Sequence, residues 1–99
     1  MPAVGPKGDY FLWVVQDLFK MSRTYLALLR RGEAVPPQAR WVLDVLTRRT
    51  AAAFNEFHEA VAAGEEPGLP EDIRGWLTAE QDRQEARTLE IMAAVLAAK

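Results

Sequence analysis

Hydrophobic residues recur at helical spacing along most of the chain, beginning shortly after residue 8. In the first segment they step alternately by three and four positions, which is the heptad spacing of a packed helical seam. A second apolar seam lies beside it, so the apolar arc is wider than on an ordinary surface helix. The pattern predicts one unbroken helix over residues 9–31 with neighbours on two sides. The first seam consists of Phe11, Val14, Leu18, Met21, Tyr25 and Leu28, and the second of Leu12, Val15, Phe19, Leu26 and Leu29.

Glycine, proline and capping residues mark the borders of this first helix. Residues 1–8 include two prolines and two glycines, so they are predicted to form a flexible N-terminal arm. Asp9 is the expected N-cap of the helix, and Gly32 is its expected C′ residue. Residues 9–99 are then predicted to form a single helical domain, since the length of the chain suits one domain.

Two further helical segments follow. An amphipathic helix is predicted to begin at about Pro37, because proline suits a first helical turn, and to run to Ala63 and stop at Gly64. Pro70 is expected to start a short helix that ends near Trp76. Thr78 then opens the last long helix, where Gln81 completes a capping box. The predicted fold class is therefore all-α, an antiparallel helical bundle of three long helices with a short helix before the third.

The charges are distributed unevenly between the halves of the chain. Residues 1–50 contain eight Lys or Arg and four Asp or Glu, a net charge of +4, whereas residues 51–99 contain four and ten, a net charge of −6. In an antiparallel bundle this distribution places a basic group at one end and an acidic group at the other. Such ends suit self-complementary assembly, or a basic surface that faces a polyanion.

The residue types needed for most catalytic chemistry are scarce. The chain has no cysteine and one histidine, and it lacks a glycine-rich phosphate loop. We therefore expect no enzymatic activity, no cofactor, no metal and no small-molecule substrate.

The longest apolar run, residues 10–15, is far shorter than the ~20 residues of a membrane span, and no signal peptide is visible. We expect a cytoplasmic protein without a membrane partner.

Two pairs of carboxylates support a different hypothesis. Glu56 and Glu59 are three positions apart in the second helix, and Asp82 and Glu85 are three apart in the third. Their spacing is similar to that of carboxylate-bridged bundles and helical nucleotide pyrophosphatases, in which such pairs on facing helices hold a divalent cation. This interpretation predicts a metal-binding helical bundle hydrolase. The alternative is that these side chains form an ordinary solvated face.

Two tryptophans fall outside the main apolar stripes of their helices. Trp13 projects onto the polar side of the first helix, and Trp41 lies with Val45 on the back of the second. Exposed aromatic side chains are enriched at protein contacts, so Trp13, Trp41 and Val45 are the predicted protein interface. The alternative is that another part of the chain covers them.

Residues 18–32, with the sequence LFKMSRTYLALLRRG, are followed by two prolines and by an apolar helix start. This stretch resembles the recognition-helix segment of Cro/C1-type helix-turn-helix repressors, in which a short turn precedes a Ser-Arg-x-x-Leu helix that ends near a glycine. The resemblance implies a DNA-binding regulator that uses residues 18–46. Phe19 stands where the turn needs a small residue, and the heptad seam predicts a continuous helix instead. The possible nucleic-acid contacts are Lys20, Ser22, Arg23, Thr24, Arg30 and Arg31.

The leading hypothesis is a non-enzymatic, small helical protein-interaction module with an adaptor or regulatory role. The wide apolar arc of the first helix, the uneven third helix and the charge asymmetry favour self-association as a homodimer, alongside an unidentified protein partner. The DNA-binding regulator and the metal-binding hydrolase remain the alternatives.

Overall fold

The chain forms three α-helices and no strand within residues 4–97, the part described by the computed structural model. Helix α1 spans Pro6–Arg30, α2 spans Pro37–Ala62 and α3 spans Glu71–Ala97. The predicted all-α fold class is thereby confirmed. None of these helices is long and apolar enough to cross a membrane.

Helix α1 runs without interruption through residues 19–22, as the heptad seam predicts. It begins at Pro6 rather than after Asp9, because Gly5 is the N-cap and the Asp9 amide already donates to the Gly5 carbonyl over 2.9 Å. The prediction of Asp9 as the N-cap is therefore wrong. Asp9 lies in the first turn, where its negative charge interacts favourably with the helix dipole. Residues 6–8 of the predicted arm belong to the helix, and residues 1–3 lie outside the described range.

The α1 N-terminus is capped by a residue distant in sequence. Gly5 has no side chain to accept a hydrogen bond, and the Glu66 carboxylate accepts from the amides of Lys7 at 3.0 Å and Gly8 at 3.1 Å instead. Gly8 packs so closely that an added Cβ would lie 2.8 Å from Cε1 of Phe57. Small residues at the start of α1 thus allow the α2–α3 loop and the end of α2 to approach it.

Both predicted glycine stops are observed. Gly32 and Gly64 take the left-handed conformation, with φ of 69° and 75°, directly after the C-caps of α1 and α2. The amides of the residues that follow them, Glu33 and Glu65, reach back to helical carbonyls over 3.0 and 2.9 Å. These are Schellman-type ends, which a residue with a Cβ would form less easily.

The predicted short helix before the third is wrong. Residues 71–97 form one continuous helix, and Thr78 lies inside it. A capping residue needs non-helical backbone, but the neighbouring Leu77 is buried in the core, and this packing favours uninterrupted helix through the proposed break. The Arg74 amide bonds to the Pro70 carbonyl over 2.9 Å and closes the first turn of α3.

Helix α1 lies between the other two helices. Both α2 and α3 pack against it, whereas no Cα atom of α2 comes within 8 Å of one in α3. At one end the three helices share a compact hydrophobic core, in which the rings of Phe11 and Phe57 stack with centroids 6.0 Å apart. Helix α3 contributes a single buried residue to that core. The core cluster consists of Phe11, Val15, Phe19, Ala53, Phe57 and Leu77.

The molecule is elongated and has a large surface for its mass. Its dimensions are 49 × 23 × 18 Å, and its radius of gyration is 15.5 Å where about 13 Å is typical for this length. Its accessible surface is 6883 Å², while a folded monomer of 11.1 kDa typically exposes about 5,650 Å². The two flanking helices therefore keep much of their surface in water.

Candidate functional site

An apolar groove opens between α2 and α3 at the end of the molecule away from the core cluster. It has a volume of about 340 Å³, and Tyr25 of α1, which is buried, forms part of its lining. The groove exists because α1 separates the other two helices. The remaining lining residues come from the start of α2 and the end of α3: Arg40, Leu43, Ile91, Met92, Val95 and Leu96.

One lip of the groove continues into an exposed apolar stripe on α3. Leu89, Met92 and Leu96 are 62%, 54% and 66% exposed, and their spacing of three and four places them on one side of the helix. Glu85, four positions before Leu89, extends the same line with a charge. We call Glu85, Leu89, Met92 and Leu96 the α3 stripe. A contiguous apolar surface with a polar border is typical of a protein-binding site.

The tryptophans predicted as an interface lie at the surface of their own helices. Trp13 and Trp41 are 67% and 65% exposed, and Val45 is half-buried. None of the three lines the groove. Trp76 lies at an edge-to-face angle to Phe19, with ring centroids 6.2 Å apart, so it anchors the start of α3.

The segment that resembles a repressor recognition helix does not form a helix-turn-helix unit, because α1 has no turn in residues 18–22. Ser22 is 1% exposed and accepts a hydrogen bond from Nε2 of Gln84 over 2.7 Å, so it is not available to a nucleic acid. Sequence reasoning placed Ser22 on the reading face because it could not locate α3. The other proposed contact residues are exposed: Lys20, Arg23, Thr24, Arg30 and Arg31.

Two of these basic side chains, Arg23 and Arg30, pair with carboxylates of α3. Arg30 forms a two-pronged ion pair with Glu90, with both nitrogen–oxygen distances at 2.7 Å. The guanidinium of Arg30 lowers the pKa of the Glu90 carboxyl by hydrogen bonding and by charge attraction. Three other arginines surround Glu80. Its carboxylate accepts a hydrogen bond from Arg83, while Arg23 and Arg87 approach it at 3.7 and 3.9 Å.

The two carboxylate pairs of the metal hypothesis belong to helices that have no Cα atoms within 8 Å of each other. Glu56 and Glu59 lie on α2, whereas Asp82 and Glu85 lie on α3. Within residues 4–97 no three acidic or histidine side chains are close enough together to hold a metal ion. The facing arrangement that the metal hypothesis requires is not seen among these residues, since α1 lies between the two helices.

Sequence reasoning missed the groove and the arginine cluster at Glu80. The α3 stripe has a readable signal, because its members follow one another at spacings of four, three and four. The role of Tyr25 in the groove and the approach of Arg87 to Arg23 carry no such signal, since each joins residues far apart in sequence.

Comparison of the chain with protein-family models, with curated proteins and with solved structures gives no match.

Proposed function

We propose that this chain is a non-enzymatic helical interaction module that self-associates through the groove and the α3 stripe. The observation that carries the proposal is the open apolar groove left where α2 and α3 fail to meet. Hydrophobic surface of this kind is stabilised when a partner removes it from water. We further propose an adaptor or regulatory role, in which Trp13 and Trp41 are candidate contacts for another protein.

The exposed area is large enough for such an interface. The accessible surface exceeds that of a typical monomer of the same mass by about 1,200 Å², part of which reflects the elongated shape. A standard interface covers about 800 Å² on each partner. The surplus is thus comparable in size with one side of a standard interface.

A second copy is the occupant that the charges favour. We infer an antiparallel course for α1 and α2, because Phe11 near the start of α1 meets Phe57 near the end of α2. A two-fold axis near Met92 would lay one α3 stripe antiparallel to the other, which is the self-complementary contact of a symmetric dimer. Glu85 lies about 10 Å before Met92 along the helix, so it would reach the end of the groove in the second copy. Arg40 lines the groove, and in this arrangement the two opposite charges would pair.

Sedimentation equilibrium of the full chain tests the proposal. We expect a mass of twice 11.1 kDa at ~100 μM, since a standard interface gives tighter binding than this. Leu96→Glu should yield monomers, because it places a charge in the apolar contact. Ala97→Glu is the matched control, since it adds the same charge one residue later on another side of the helix, and it should remain dimeric. A wild-type monomer at this concentration would overturn self-association.

Charge reversal tests the geometry of the dimer. Arg40→Glu and Glu85→Arg should each weaken the dimer, because each places like charges opposite each other. The double variant should recover most of the wild-type affinity, since the pair is restored with its signs exchanged. If the dimer affinity is the same in all three variants as in the wild type, self-association would stand, but this two-fold arrangement would be excluded.

A further inference from the structure

A second cavity lies between α1 and α3 and is lined by arginine. Its volume is about 430 Å³, and it is separate from the groove because it lies on another side of α3. Two of its arginines come from α1 and two from α3, and one leucine and two alanines complete the lining. Its lining residues are Arg23, Leu26, Ala27, Arg30, Arg83, Ala86 and Arg87.

Positive charge exceeds negative charge in this cavity. Four guanidinium groups are accompanied by the carboxylates of Glu80 and Glu90, which leaves an excess of two positive charges. Glu90 is occupied by Arg30. Glu80 is hydrogen-bonded to Arg83, and its contacts with Arg23 and Arg87 at 3.7 and 3.9 Å are too long for hydrogen bonds.

Among these four arginines, Arg87 is the one with a buried nitrogen that lacks a hydrogen-bond acceptor in the described part of the chain. Its side chain is only 14% exposed, and its Nε donates to Oε1 of Gln84 over 3.2 Å. Its Nη2 atom is buried and has no hydrogen-bond acceptor among the described residues. Burial and the neighbouring Arg23 lower the pKa of Arg87, although the guanidinium stays charged at neutral pH. A buried charged donor of this kind is stabilised by an added acceptor.

We propose that Arg87, Arg23 and Arg83 form a binding site for the phosphoryl group of a small molecule. A phosphate dianion matches the excess of two positive charges, and guanidinium groups bind phosphate oxygens through paired hydrogen bonds. The apolar side chains of Leu26, Ala27 and Ala86 would lie beside the organic part of a phosphomonoester. A long polyanion is disfavoured, because residues 51–99 carry a net charge of −6.

The site is tested by nuclear magnetic resonance of the arginine Nε–H groups in the full chain. Inorganic phosphate and phenyl phosphate are titrated separately at constant ionic strength, with chloride as the reference anion. We expect a saturable shift of the Arg87 and Arg83 signals with either phosphate and none with chloride. Tighter binding of phenyl phosphate would identify an organic phosphomonoester as the ligand, whereas equal binding would identify free phosphate.

Two variants separate specific binding from general screening. Arg87→Gln should weaken phosphate binding at least about tenfold, measured at the Arg83 signal, because it removes the buried donor. Its melting temperature without phosphate should be unchanged or higher, so a loss of fold would not explain the effect. Arg49→Gln removes an exposed charge on α2 and should bind as the wild type does. Equal binding by Arg87→Gln, shifts that never saturate, or tighter binding of short duplex DNA would overturn the proposal.

Discussion

Exposure divides the aromatic side chains of this protein into structural and surface groups. Phe57 is 6% exposed and stacks on Phe11, and Phe54 lies edge-to-face to Phe11 with ring centroids 5.4 Å apart. Trp13 is two-thirds exposed on the opposite side of α1 from the core. Side chains of similar size therefore contribute very differently to folding, since only apolar area removed from water stabilises the native state.

This difference predicts the outcome of two alanine substitutions. Phe57→Ala should lower the free energy of unfolding by about 3–5 kcal/mol, because it leaves a cavity in the core. Trp13→Ala should change it by less than about 0.5 kcal/mol, as is usual for surface substitutions. Urea denaturation followed by circular dichroism measures both values. Comparable losses for the two variants would mean that Trp13 is covered by packing.

The Arg30–Glu90 pair predicts a pH dependence at a single carboxyl group. The pKa of Glu90 lies below its ordinary value because Arg30 donates two hydrogen bonds to it. Stability from this pair is fully present above the ordinary pKa of glutamate and is lost as the pH falls through the lowered pKa. Carboxyl-carbon nuclear magnetic resonance should show the pKa of Glu90 below the ordinary value for glutamate, and Arg30→Gln should return it to the ordinary range. An unchanged Glu90 titration in that variant would show that the pair does not persist in solution.

The helices differ in how firmly they are held. Helix α1 is central and contributes nine buried residues, whereas α3 contributes only Leu77. The N-terminus of α1 is further stabilised by Glu66, which lies in the α2–α3 loop. One end of α1 thus depends on the position of α3, because the loop that supplies the cap also leads into that helix.

The Glu66 cap gives a prediction at this scale. Glu66→Ala should lower the free energy of unfolding by about 0.5–2 kcal/mol, the usual cost of losing an N-cap. Glu65→Ala removes the neighbouring charge and should change it much less, since Glu65 is exposed and forms no side-chain bond in the described range. Amide exchange at Lys7 and Gly8 should accelerate in the first variant only. Equal effects would indicate that net charge and not capping stabilises this end.

At the scale of the whole molecule, the proposed dimer would link the stability of α3 to association. The last part of α3 has exposed apolar residues on one side and the half-buried Ile91 and Val95 on another. Much of its stabilisation in solution would therefore come from a second copy. In a dimer the apparent stability depends on protein concentration.

Dilution should consequently loosen the end of α3. We expect the melting temperature to fall as the concentration decreases, and the amides of residues 89–96 to exchange faster while those of residues 11–26 stay protected. The physical reason is that the outer side of α3 returns to water when the dimer dissociates. Leu96→Glu should show the dilute behaviour at every concentration. A melting temperature independent of concentration would contradict a dimer whose assembly stabilises α3.

Local pattern determined most of the secondary structure. The double apolar seam predicted the unbroken α1, and Gly32 and Gly64 predicted two of the helix ends. These features depend on residues within a few positions of one another, so a single sequence contains the information. The start of α1 and the continuity of α3 were mispredicted where a distant partner, Glu66 or the core around Leu77, outweighed a local capping signal.

The contacts between residues of different helices were decided by the tertiary structure. Which flank of α1 each neighbour occupies depends on how the helices rotate and pack, and periodicity shows only that a helix has an apolar side. That choice separates α2 from α3, opens the groove above Tyr25 and buries Ser22. It also brings Arg87 to Arg23, although these residues are remote in sequence. The helices are thus local properties of the chain, whereas both proposed binding sites arise from contacts over long sequence distances.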